Sequence, residues 1–131
     1  MSASYKIAQA ADLLGVSDDT VRRWVDQGVL PVTDASPAEI PGEALAQHAI
    51  ALARSADDAT GVRSSARNRF TGLVTNVIMD TVAAQVEIQA GPHRVVSLMT
   101  AEAVRDLGLE VGSLAVAVVK ATTVIVEAPT H

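Results

Sequence analysis

The chain contains no cysteine, and its 131 residues include one tryptophan, one tyrosine and one phenylalanine. Without thiols there are no disulfides, no thiolate metal sites and no thiol catalysis, and a cytoplasmic location is the simplest reading. An aromatic content of 2% excludes a broad base-stacking surface for single-stranded nucleic acid. No window reaches the roughly 18 apolar residues of a membrane span, and the opening Met-Ser-Ala-Ser-Tyr-Lys lacks the basic patch and apolar run of a secretion signal, so no membrane partner is expected. Basic residues are also scarce, ten against 15 acidic, for a net charge of −5. The deficit lies in residues 1–62, where Lys6, Arg22, Arg23 and Arg54 face nine carboxylates; residues 63–131 are balanced at six against six. A nucleic-acid binder usually presents a basic face, so the acidic first half argues for weak nonspecific DNA affinity.

What is present is aliphatic. Apolar residues make up 49% of the chain, mainly Ala, Val, Leu and Ile. Their spacing changes character along the sequence and divides it into an α+β chain of two small domains. Ile7, Ala10, Ala11 and Leu14 share a helical face, as do Val21, Trp24 and Val25. Gly15 stands as a helix stop, Ser17 as an N-cap, and Asp18 and Asp19 favour the positive end of the helix that follows. Gly28 ends that helix, Val29-Leu30-Pro31 is extended, and 33–39 reads as a polar loop or wing. A third helix begins around Ile40-Pro41-Gly42-Glu43, with Leu45, Ala49 and Leu52 on its apolar face. From Arg69 onward the pattern is β. Strands are expected at 70–79, 81–89, 95–99, 114–119 and 123–127, with one short helix at 101–107 capped by Thr100 and stopped by Gly108. Five short strands and a helix after the third suggest an OB-like barrel. The expected boundaries are 1–54 for a helical, winged-helix-like domain, 55–64 for a linker and 65–131 for the barrel. Two modules this small should lean on oligomerisation.

The segment Gly15-Val16-Ser17, followed by Thr20-Val21-Arg22-Arg23-Trp24, resembles the helix-turn-helix of the MerR and excisionase-like families over residues 4–52. With Val21, Trp24 and Val25 facing inward, Ser17, Thr20, Arg22 and Arg23 stand near the start of the second helix, where a major-groove reader presents its side chains, and Lys6 adds a further cation. Either Arg22 and Arg23 contact DNA, or they pair with Asp18, Asp19 and Asp26 one turn away. The wing brings no basic residue and holds Asp34 and Glu39, so DNA reading would need several copies acting on repeated half-sites.

Residues 63–128 carry Ser65-Ala66-Arg67-Asn68 and, far downstream, Lys120-Ala121-Thr122. No carboxylate occurs in 63–79, 88–101 or 111–126. A doubly charged oxyanion needs about two positive charges and several N–H or O–H donors to replace its hydration. Arg67 and Lys120 supply the charges, and Ser65, Thr100 and Thr122 supply hydroxyls. Thr100 has two compatible roles, capping its helix and meeting an anion. This half resembles the Mop, or molbindin, type of TOBE domain. The resemblance implies a molybdate or tungstate ligand held between TOBE domains by the Ser65–Arg67 and Lys120-Ala121-Thr122 segments, no further cofactor, and a homo-oligomer, either a dimer or a hexamer built from dimers. Together the two halves suggest a molybdate- or tungstate-responsive DNA-binding regulator. The rival is an intracellular molybdate store or buffer whose first domain serves assembly. His48, His93 and His131 have no metal-ligand spacing, and no glycine-rich phosphate loop or nucleophile elbow is present, so no enzyme activity is expected.

Overall fold

The computed structural model describes residues 3–53 and 61–130, and these form two compact units, one in each stretch. Most of the expected linker, 55–60, lies outside the described residues, as does His131.

The first unit runs β1 (Ser4–Tyr5), α1 (Ile7–Leu14), α2 (Asp18–Asp26), β2 (Ile40–Pro41) and α3 (Gly42–Leu52). Gly15 ends α1 in the left-handed region at φ 69°, a conformation that costs glycine nothing. Ser17 caps α2, its hydroxyl oxygen accepting the Thr20 N–H at 3.2 Å, and Asp18 and Asp19 occupy the first turn. The small side chains of Ala10 and Ala11 let α1 approach α2, and a core of Val21, Leu30, Ile40 and Leu45 closes over them. Trp24 and Val25 pack against this core, and the Trp24 ring meets His48 of α3 edge-on at 4.5 Å.

One feature differs from the sequence reading. Ile40 and Pro41 do not open the third helix but form a short strand paired with Ser4 and Tyr5, and α3 starts at Gly42. That pairing buries Ile40 completely, which is the physical return for keeping it out of the helix. Residues 33–39, read as a polar loop or wing, form a closed polar loop: the Thr33 N–H donates to the Glu39 carbonyl at 2.7 Å, and the Thr33 hydroxyl accepts the Glu39 N–H at 3.2 Å.

The second unit is one antiparallel sheet built from β3 (Asn68–Met79), β4 (Ala83–Ala90), β5 (His93–Thr100) and β6 (Leu114–Val119), with α4 (Ala101–Leu107) between the last two. The spatial order is β5-β4-β3-β6. At 12 residues β3 pairs with β6 through its first half and with β4 through its second, and a bulge at Val74–Asn76 bends it between the two. Gly72 sits at this crossing, where an added Cβ would overlap the Gln89 carbonyl of β4. The Asp80 carboxylate fixes the β3–β4 turn by accepting the Val82 and Ala83 N–H groups, each at 2.8 Å. Val74, Ala84, Val86, Ile88 and Val104 form the core, with Met99, Leu109, Ala115 and Ala117 against it.

The sheet has four strands where the sequence suggests five. The missing one is 123–127. After Val119 the chain makes a single 3-10 turn, Ala121–Thr123, because the Thr123 N–H and hydroxyl both donate to the Lys120 carbonyl, at 3.0 and 2.8 Å. That double contact halts the extended chain, and residues 124–130 follow without a strand partner.

Candidate functional site

The β3–β6 ladder brings together two segments 50 residues apart in sequence. Asn68 stands opposite Val119, and its amide nitrogen donates to the Val119 carbonyl at 3.2 Å, fixing the backbone where both strands end. The register ends at this pair, which Arg67 directly precedes on β3's side and Lys120 directly follows on β6's. Ser65, Arg67, Lys120, Ala121 and Thr122 are all exposed at this end of the sheet. Like charges at neighbouring cross-strand positions repel, and here no compensating carboxylate is near in sequence. Among the described residues the ion pairs are Arg22–Asp19 and Arg94–Glu87, neither of which neutralises this cationic pair. Two cations and the hydroxyls of Ser65 and Thr122 thus lie on the exposed segments that flank one strand end, a composition suited to a tetrahedral dianion.

Thr100 is not part of this cluster within one chain. It pairs with Ala83, beside the Asp80 turn, and so lies at the opposite end of β3, roughly 35 Å of extended strand from Arg67. Its hydroxyl oxygen accepts the Ala103 N–H at 3.1 Å and caps the seven-residue α4, which leaves its own proton as a donor. Within one chain Thr100 is thus placed apart from the two segments that flank the Asn68–Val119 pair.

In the first unit, Ser17, Arg22 and Arg23 are exposed on α2, Thr20 is half-buried one turn from Ser17, and Lys6 is exposed just before α1. The Ser17 and Thr20 hydroxyls lie 2.9 Å apart, so both contribute to the cap. Arg22 pairs with Asp19 at 3.2 Å, an exposed i,i+3 contact of small energetic weight. Among the described residues no carboxylate is ion-paired with Arg23.

One feature is invisible in the sequence. The concave face of the second unit holds a groove of about 520 Å³, walled by Val86 and Ile88 of β4, Met99 of β5, Leu107 of α4, and Leu114 and Val118 of β6. Strand alternation marks these residues as apolar but cannot show that the two outer strands, β5 and β6, face each other across an open trough. Among the described residues there is no grouping of three His, Asp or Glu side chains suited to a metal ion, and no helix is long and apolar enough to cross a membrane.

Comparison with known proteins agrees with this division. A TOBE domain matches residues 64–126, and a helix-turn-helix domain matches residues 4–45. A Haemophilus influenzae protein described as a probable molybdenum-pterin-binding protein is 41% identical over 66 residues, which cover 50% of this chain and 96% of that one. Molybdenum-pterin-binding protein 3 of Clostridium pasteurianum is 37% identical over 63 residues, covering 47% and 93%. The molybdenum transport protein ModE of Herbaspirillum seropedicae is 35% identical over 65 residues, and the match spans 49% of this chain but 24% of that longer protein. Among solved structures, a molybdate-binding protein from Sporomusa ovata is 30% identical, covering 51% of this chain and all of that one, with a TM-score of 0.49. Through its second half the chain therefore belongs to the TOBE-domain family that includes the molybdenum-pterin-binding proteins, and it carries a helix-turn-helix domain ahead of it.

Proposed function

We propose that this protein is a molybdate- or tungstate-responsive DNA-binding regulator, in which the TOBE half takes up the oxyanion at interfaces between copies and the helix-turn-helix half reads DNA. The observation that carries this reading is the union in one chain of a helix-turn-helix domain with a TOBE domain whose relatives are named for molybdenum compounds. The chemistry of the second unit supports it. Arg67 and Lys120, neither of them ion-paired among the described residues, would supply the positive charge, and Ser65, Ala121 and Thr122 hydroxyl and backbone donors.

One such end is half a site. A tetrahedral dianion has more acceptor positions than these exposed side chains satisfy, and Thr100 is out of their reach in the same chain. A second copy presenting its Thr100 and α4 start would complete the coordination. Ligand binding and assembly are then thermodynamically linked, since an anion that binds the assembled form favours it by mass action. On the DNA side, Arg23 is the cation best placed to meet a base edge or phosphate. Arg22 exchanges Asp19 for DNA, and Ser17, Thr20 and Lys6 hold the backbone. Assembly re-spaces paired recognition helices and so alters affinity for repeated half-sites.

The acidic balance of the first unit and the Arg22–Asp19 pair favour a second reading, a molybdate store whose first domain only assembles the oligomer. Calorimetry with molybdate, tungstate and sulfate, joined to a gel shift on the DNA upstream of the protein's own coding sequence, separates the alternatives. Regulation requires oxyanion heat together with a sequence-selective shift. Oxyanion heat without any selective shift establishes the store, and absence of heat ends both.

A further inference from the structure

We infer that Asp19 is a specificity-determining residue of the DNA-reading helix, its carboxylate accepting the N4 amino group of a cytosine in the major groove while Arg22 takes a guanine in the next base pair. The inference deepens the DNA-reading function proposed above and rests on it. It starts from the exposed face of α2. Val21, Trp24 and Val25 turn toward the core, and the other face, at spacings of three and four residues, is a stripe of Asp19, Arg22, Arg23 and Asp26, all exposed. Two cations are thus bracketed by two carboxylates, and the stripe carries no net charge. The Ser17 and Thr20 hydroxyls are engaged with one another and with the helix cap, so the side chains of α2 able to tell one base from another lie on this stripe.

Helix stability does not account for the pattern. A carboxylate in the first turn suits the helix dipole, and half-buried Asp18 already provides one. Asp26 is the last residue of α2, the end at which the dipole disfavours negative charge. The Arg22–Asp19 contact joins side chains that are 56% and 94% exposed, so solvent screens most of its energy. A grip on phosphate does not account for it either, because a carboxylate repels phosphate at every site alike. Base edges do. Arginine pairs with guanine O6 and N7, and a carboxylate accepts from cytosine N4. Residues 19 and 22 are about 4.5 Å apart along the helix axis and stacked base pairs about 3.4 Å, so the two side chains reach neighbouring pairs. Asp19 holds the Arg22 guanidinium at 3.2 Å, and a guanidinium held in place loses less freedom on entering the groove. At a wrong sequence the carboxylate meets an acceptor and stays unpaired. The group that lowers nonspecific affinity is then the one that favours the right site.

The test uses the full-length protein, with and without molybdate. Native, Asp19→Ala and Asp26→Ala chains, each checked for folding by circular dichroism, select from a random duplex pool, and anisotropy gives their affinities for selected and random duplexes. The native protein should enrich a motif containing two neighbouring G·C pairs. Asp19→Ala should bind random duplex at least about twofold more tightly and lose a preference of about fivefold or more at one of those two pairs. Asp26→Ala removes the same charge from the far end of the stripe and should bind random duplex more tightly while keeping every base preference. Asp19→Ala chains that keep every preference, or change it only at an A·T pair, overturn the inference and leave DNA reading standing. A native protein that enriches no motif ends the DNA-reading function and this inference with it.

Discussion

Replacing Lys120 by methionine separates a ligand-binding role from a structural one, because the two predict opposite signs for stability. Arg67 directly precedes and Lys120 directly follows the terminal Asn68–Val119 pair of β3 and β6, and both are exposed. Two unit charges about 4 Å apart in water repel by about 1 kcal/mol, so removing one should leave the ligand-free fold unchanged or stabilise it by up to about that amount. A dianion at the same distance is attracted twice as strongly by each cation, about 2 kcal/mol at the dielectric of water and several-fold more once a partner surface excludes solvent. Lys120→Met should therefore weaken molybdate binding at least about 30-fold. Methionine keeps most of the aliphatic stem, so lost packing does not confuse the comparison. Calorimetry gives the affinity, and thermal unfolding without molybdate gives the stability. An unchanged isotherm in both Lys120→Met and Arg67→Met refutes the site. A ligand-free variant that melts lower while binding molybdate normally assigns Lys120 to the fold instead.

Other consequences are independent of the ligand. Gly72→Ala should destabilise the second unit by roughly 1–3 kcal/mol, since its Cβ overlaps the Gln89 backbone and β3 or β4 must shift; urea unfolding measures this. The Asp80 carboxyl is held below the usual carboxylate range by the backbone N–H groups of Ala83 and Val82. Its folded-state pKa is depressed, so its contribution is present at neutral pH and is lost as pH falls through the folded value. Asp80→Ala should therefore lower Tm at pH 7 and converge with the native protein in strong acid. The described part of the first unit holds three basic residues, Lys6, Arg22 and Arg23, against seven acidic ones, so few phosphates can be neutralised per copy. The slope of log affinity for DNA against log salt should be no steeper than about −3 per copy, measured by fluorescence anisotropy over a potassium chloride series.

Much of the architecture could be read from local signals. Ser17 with Asp18 and Asp19, the stop at Gly15, and Thr100 ahead of α4 each declare a helix boundary through their own backbone chemistry, and each boundary is found there. The features that escaped are long-range. Ile40-Pro41 has the local look of a helix start, and only pairing with Ser4 and Tyr5 makes it a strand. Val124-Ile125-Val126 has the composition of a strand, but composition does not supply a partner, and within this chain the Thr123 contacts to Lys120 stop the run first. For the candidate site, the sequence offered the residue types and the absence of carboxylates around them. It could not show that β3–β6 pairing ends at Asn68 and Val119, one residue from Arg67 and from Lys120, or that Thr100 stands at the far end of β3, because both are matters of register and strand length.

The account's central claim is that one chain couples an oxyanion to DNA. Its most direct test is the affinity of the full-length protein for labelled DNA from upstream of its own coding sequence, measured by anisotropy at fixed salt with and without saturating molybdate, and repeated with Arg67→Met/Lys120→Met. The account predicts sequence-selective binding whose affinity molybdate shifts several-fold or more in the native protein and leaves unmoved in the double variant. Selective binding indifferent to molybdate, or a shift that survives in the double variant, contradicts it.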